Sequence, residues 1–191
     1  MWENCKMHAS CASLQARKDS SIMKYRDEID KCYGVAGMSV ALAILDAEDL
    51  LIGVTIDGDG LDCINMVPQY YSVGNPLLSP SSAWQDVFQR FQVTLGMTIA
   101  DSMCRKMLHD KGVVDKKLRQ ALLDAACEEG KLSCQLENDE VERIFDKYFQ
   151  YMLQTFKNRN VHTVIASMVE RLKADRALSS CDVLEMLRSL N

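Results

Sequence analysis

Proline punctuates this chain only three times, at Pro68, Pro76 and Pro80. Proline lacks a backbone donor and breaks helices, and it pushes the residue before it out of the α region. The three prolines mark a turn-rich connector over 68–80, between an N-terminal part (1–67) and a C-terminal part (81–191) in which helices can run uninterrupted. There is no internal repeat and no low-complexity tract. The 191 residues suit one domain over 1–191, and a hydrophobic share of 48% can bury a sizeable core.

The C-terminal part reads as a helical bundle. Ser79-Pro80 or Ser82 opens a long helix, because a proline at the first helical position loses no hydrogen bond. Ser82 with Gln85 also fits a capping box. Trp84, Phe88, Phe91, Leu95, Ile99, Met103 and Met107 then step by three or four, until Lys111-Gly112. A second helix is expected over 114–128, with Leu118 and Leu122 inward and Gly130 as its stop. Asn138 is expected to cap a third, with Asp139, Glu140 and Glu142 at its start, Lys157 and Arg159 at its end, and a stripe through Val141, Ile144, Phe145, Tyr148, Met152 and Phe156. Five residues separate Phe156 from Val161, a rotation of ~140°. The stripe jumps there, which places a break at Asn158-Arg159-Asn160 before Val161, Val164, Ile165, Met168, Val169 and Leu172. Ser179 or Ser180 caps a last helix carrying Val183, Leu184, Leu187 and Leu190. Short connections between amphipathic helices imply antiparallel packing.

In the N-terminal part, Ile22, Tyr25 and Ile29 predict a helix over 17–32, which Gly34 and Gly37 interrupt. Met38 to Ala47 then forms a second short helix or a buried strand, since a short apolar run fits both. Leu51 to Ile56 and Leu61 to Val67 are β-prone runs around Asp57-Gly58-Asp59-Gly60, the composition of a tight hairpin turn. Ile52, Val54 and Ile56 would share one face. The fold expected is mainly α, a helical bundle with a minor N-terminal β-hairpin.

Eight cysteines lie scattered through segments that read as helix or strand, unlike a short, loop-rich disulfide scaffold. They are read as reduced thiols packed as small apolar groups, in a cytoplasmic protein. The first residues lack the apolar stretch of a signal peptide, and the most apolar run, Val35 to Leu45, is shorter than the ~20 residues of a membrane span. The formal charge of −5 argues against nucleic acid as a partner, because phosphate neutralisation supplies most of that affinity. Lys116, Lys117 and Arg119, and Lys157, Arg159, Arg171, Lys173 and Arg176, are local basic groups better read as solvated helix faces.

Motifs that carry chemistry are sparse. Asp57-Gly58-Asp59-Gly60-Leu61-Asp62 resembles the start of a calcium loop, but its fifth position is Leu61 and its twelfth is Pro68, where oxygen ligands are required. Cys5, His8 and Cys11 share one face if helical and are zinc-type ligands, with Cys32 as a distant fourth; a plain terminal segment is the simpler reading. Cys104 and His109 are five apart, ~140° around a helix, so they do not pair. No glycine-rich phosphate loop, nucleophile elbow or di-iron pair is present. No catalytic set, cofactor or metal is therefore assigned.

The connector Pro68-Gln69-Tyr70-Tyr71-Ser72-Val73-Gly74-Asn75-Pro76 carries two tyrosines that either line a binding surface or anchor the connector on the core. The preferred expectation is a non-enzymatic protein-interaction or assembly module, partnered by a second copy or another protein, with eleven Met as adaptable apolar surface. The alternative is a small-molecule-binding domain or enzyme with a pocket between hairpin and bundle, at Tyr70, Tyr71 and Trp84. A nucleic-acid-associated regulator using residues 157–176 comes third.

Overall fold

The computed structural model describes residues 24–71 and 79–188. Its first helix, α1 (Glu28–Ile44), opens at Asp27, whose carboxylate accepts the Asp30 N–H at 2.8 Å. Glu28 and Asp30 in the first turn complement the helix dipole. The helix expected over 17–32 thus begins later within the described residues, and 24–27 lie outside it. Gly34 and Gly37, expected as interruptions, lie inside α1, which also absorbs Met38 to Ile44. They are points of close approach. A Cβ on Gly37 would lie 2.5 Å from Cys104 Cβ and 2.7 Å from the Ala100 carbonyl oxygen. One on Gly34 would lie 2.8 Å from Tyr25 Cε1 and collide with Asp101 Oδ1. The residues from Val35 to Leu42 are all buried, so α1 is the central helix.

A short 3-10 turn at Glu48–Leu50 leads into β1 (Leu51–Thr55), and a second at Gly60–Cys63 leads into β2 (Ile64–Met66). The hairpin is antiparallel, with Leu51 opposite Met66 and Val54 opposite Ile64. Its connection is wider than a tight turn. The register shifts between Leu51 and Gly53. Val54 and Ile56 are buried while Ile52 is 51% exposed, so the expected common face is broken. On its other side β1 pairs with β3 (Ala177–Ser179), giving a three-stranded antiparallel sheet of order β2-β1-β3.

Four-residue α2 (Pro68–Tyr71) begins the connector. Ser79 then caps α3 (Pro80–Cys104), accepting the Ser82 N–H at 3.2 Å. This helix passes into a π-helical turn, Arg105–His109, and the backbone reverses at Lys111, φ 52°. Asp115 caps α4 (Lys116–Cys134), which runs through Gly130 and ends at Gln135, φ 55°. Gly130 is another close approach, where a Cβ would lie 2.6 Å from Val141 Cγ2 and 3.2 Å from Phe91 Cζ. Glu137, not Asn138, precedes α5 (Asn138–Thr155), and its N–H donates to Glu140 Oε2 at 3.0 Å. Asn158 caps α6 (Arg159–Asp175), so the break falls where the stripe jumps and Arg159 starts α6 rather than ending α5. Ser179 caps α7 (Ser180–Leu187).

The fold is mainly α with a minor antiparallel sheet. The buried cluster takes residues from α1, the sheet and α3 to α7, with Phe145, Phe156, Met38, Leu42, Met152 and Met168 among its largest enclosed side chains. Six of the eight methionines among the described residues are buried there and Met107 and Met186 are half-buried, so methionine serves mainly the core. Among the described residues, no helix is long and apolar enough to cross a membrane.

Candidate functional site

The N-terminal half of α3 carries an aromatic step and an uncharged groove. Trp84 and Phe88, one turn apart, stack with ring centroids 5.0 Å apart and planes 9° from parallel, and Trp84 is 48% exposed. Phe88 also lines a groove of about 350 Å³ between α3, Tyr148 of α5 and Leu45 at the end of α1. Val93 completes the apolar side, and Gln85, Gln89 and Gln92 form the polar side. Burial raises the Tyr148 phenol above its ordinary range, so no lining residue is charged near neutrality. Leu45, on the groove's wall, packs where Gly96 has no side chain; a Cβ there would lie 2.5 Å from Leu45 Cδ1.

Of the three residues singled out from the sequence, only Trp84 meets this groove, through Phe88. The Tyr70 hydroxyl is 2.6 Å from Thr94 Oγ1, tying the connector to α3. The Tyr71 hydroxyl donates to the Ile64 carbonyl and accepts the Met66 N–H, both at 3.4 Å, which ties it to β2. The two rings meet edge to face with centroids 5.5 Å apart, and Tyr71 remains 49% exposed. Phe88, Gln89 and Tyr148 were not singled out as site residues, because a groove between three elements leaves no pattern in any one of them.

The opposite end of α3, about 30 Å away at 1.5 Å per residue, is ionic. Asp30 of α1 and Asp101 of α3 are fully buried, and Arg105 bridges them, 3.3 Å from Asp30 Oδ2 and 2.6 Å from Asp101 Oδ2. Arg26 joins Asp30 at 2.9 Å to Asp110 at 2.6 Å. The His109 ring stacks on Tyr33, centroids 5.0 Å apart, with Nδ1 3.3 Å from Asp30 Oδ1 and 3.1 Å from Arg26 Nη2. Burial pushes Asp101 up to about 6, against the pull of Arg105. Burial would raise Asp30 too, but the side-chain and backbone bonds from Arg26 and the charge of Arg105 overcome it and hold this carboxyl well below its ordinary range.

The other candidates separate. Cys5, His8 and Cys11 lie outside the described residues. Cys104 is buried against Gly37, and the His109 ring stacks on Tyr33. In the acidic turn, Lys31 donates to Gly58 O and Asp59 Oδ1, both at 2.8 Å, and Arg176 donates to Asp57 Oδ1 at 2.7 Å. In the basic groups, Arg119 pairs with Asp146, Arg171 with Asp175 and Asp182, and Lys173 with Glu170. Compared with known protein families, with curated proteins and with solved structures, the chain finds no match.

Proposed function

We propose that the protein is an assembly module that pairs with a second copy of itself through the N-terminal half of α3. The observation that carries this reading is the uncharged groove beside the exposed Trp84–Phe88 stack. Interface cores are enriched in aromatic residues and depleted in charge. A twofold interface must be complementary to itself. Glutamine amides both donate and accept, so Gln85, Gln89 and Gln92 can face their own copies. Trp84 supplies a projecting ring one turn from a recess, so two antiparallel copies of α3 exchange ring for recess. The groove's lining carries no charged side chain, so a contact formed there buries no charge of its own.

Sedimentation equilibrium from micromolar to hundreds of micromolar tests this. The expected result is a two-chain mass that Trp84→Ala reduces to one chain and that Leu132→Ala, at an 83% exposed site on α4, leaves intact. A one-chain mass for the unaltered protein throughout, or a dimer indifferent to Trp84→Ala, overturns it.

A further inference from the structure

The ionic cluster at the end of α3 sets more carboxylates than guanidinium groups against one another. Its carboxylates are Asp30, Asp101 and Asp110, and its guanidinium groups are Arg26 and Arg105. The carboxylates outnumber the guanidinium groups by one. Neighbouring groups do not supply the missing positive charge. Lys31, on α1, pairs with Asp59 at 2.8 Å and so is cancelled. The Tyr25 phenol, the Cys63 thiol from the turn before β2 and the Cys104 thiol on α3 are held neutral by burial, with Cys63 pushed up to about 12. His109 Nδ1 faces both Arg26 and Asp30, so it accepts from one or donates to the other, not both. Asp30 and Asp101 are fully buried, and an uncompensated charge away from water is costly.

We propose that this cluster is a proton-operated latch, in which Asp101 takes up one proton and thereby fastens the segment before α1 to the end of α3. Asp101 Oδ2 receives Arg105, while Oδ1 occupies the space that Gly34 leaves open beside Tyr25. A proton on Asp101 removes the surplus charge. It also weakens the hold of Asp101 on Arg105, whose Nη1 already reaches Asp30 Oδ2 at 3.3 Å and the Lys24 carbonyl at 3.2 Å. Arg105 is then committed to residues 24–30. Asp30 accepts from the Arg26 N–H, Arg26 Nη2 and Arg105 Nη1, whereas the buried Asp101 Oδ1 finds no hydrogen-bond partner among the described residues, which makes Asp101 rather than Asp30 the proton acceptor. The opposite shifts of the two carboxyls agree with this.

Asp101 titrates higher when folded than when unfolded, so the folded chain binds a proton that the unfolded chain lacks between about pH 4 and pH 6. The resulting stabilisation is complete at the low end of that window and is lost as the pH rises through about 6. From pH 5 to pH 7.5 the unfolding equilibrium constant should therefore rise ~10-fold through this group. Urea unfolding of the unaltered chain, Asp101→Asn and His109→Gln at both pH values tests it. The unaltered chain and His109→Gln should show that rise in excess of Asp101→Asn. Amide exchange at Arg26, whose N–H donates to Asp30 Oδ2 at 3.0 Å, should be slower at pH 5 after correction for intrinsic rates. An equal pH response in Asp101→Asn, or a response abolished only by His109→Gln, overturns the proposal. Should Asp101→Asn fail to fold, the carboxyl carbon resonance of Asp101 in the unaltered chain decides. A midpoint above the ordinary carboxyl range together with slower Arg26 exchange below it supports the latch, and a midpoint within or below that range, or Arg26 exchange indifferent to pH, overturns it.

Discussion

Gly37 shows how a residue that is unfavourable alone becomes necessary in context. A glycine within a helix costs about 1 kcal/mol relative to alanine when the site is exposed. Gly37→Ala would therefore stabilise an isolated α1. In the fold the new Cβ would lie 2.7 Å from the Ala100 carbonyl oxygen, part of the α3 backbone, which cannot rotate away. The sign reverses, and overpacking of this kind typically costs about 1–3 kcal/mol. A lower urea midpoint with an unchanged slope would show it. Gly130→Ala should also destabilise, because the new Cβ would lie 2.6 Å from Cγ2 of Val141, a buried β-branched side chain with little freedom to turn away.

At the scale of elements, β1 separates alternation from burial. Period two nominates Ile52 as a partner of Val54 and Ile56, yet the register shift leaves Ile52 51% exposed. Leu178, from a three-residue strand 124 positions beyond Val54, is 4% exposed and pairs with it. Leu178→Ala should therefore cost about 2–4 kcal/mol, as buried leucine truncations do. Ile52→Ala should stay within about 1 kcal/mol, since exposed sites change stability little. Thermal or urea unfolding of both variants ranks them, and the reverse order would refute the assigned register. Helix starts are more local. Ser79 needs only the chain around it to cap α3, and Ser79→Ala should cost about 1 kcal/mol by the same assay.

Across the whole molecule, α3 joins two unlike ends, one with an aromatic step beside a groove of uncharged lining, the other ionic and buried. Their separation makes the two proposals independent. Trp84→Ala should leave the response to pH unchanged, and Asp101→Asn should leave the chain mass unchanged. Sedimentation and urea unfolding of both variants would reveal any crossover. The buried acids also shape the acid limb. Asp30 is held below its ordinary range, so its stabilisation is present above about pH 4 and is lost as the pH falls further. Asp101 acts in the opposite sense above that point. Together they place this cluster's largest contribution on the acid side of neutrality, which a urea series from pH 3 to pH 8 would locate.

Spacing and punctuation determined much of this chain by themselves. The stripes of α3, α5 and α6, the break before Val161, the caps Ser79 and Ser179, and the two β-prone runs are local, because each depends on residues a few positions apart. Tertiary structure decided what depends on distant partners. Gly34, Gly37 and Gly130 read as breaks until another helix stands against them, since a missing Cβ looks alike in a turn and in a close approach. The strand Ala177–Ser179 is too short to carry a period and exists only because β1 offers it an edge. The groove at Phe88 and Tyr148 and the bridge from Asp101 to Asp30 join elements that no sequence window contains together. Of the candidate site, Trp84 was singled out from the sequence, while Phe88 and Tyr148 were legible only as members of apolar stripes.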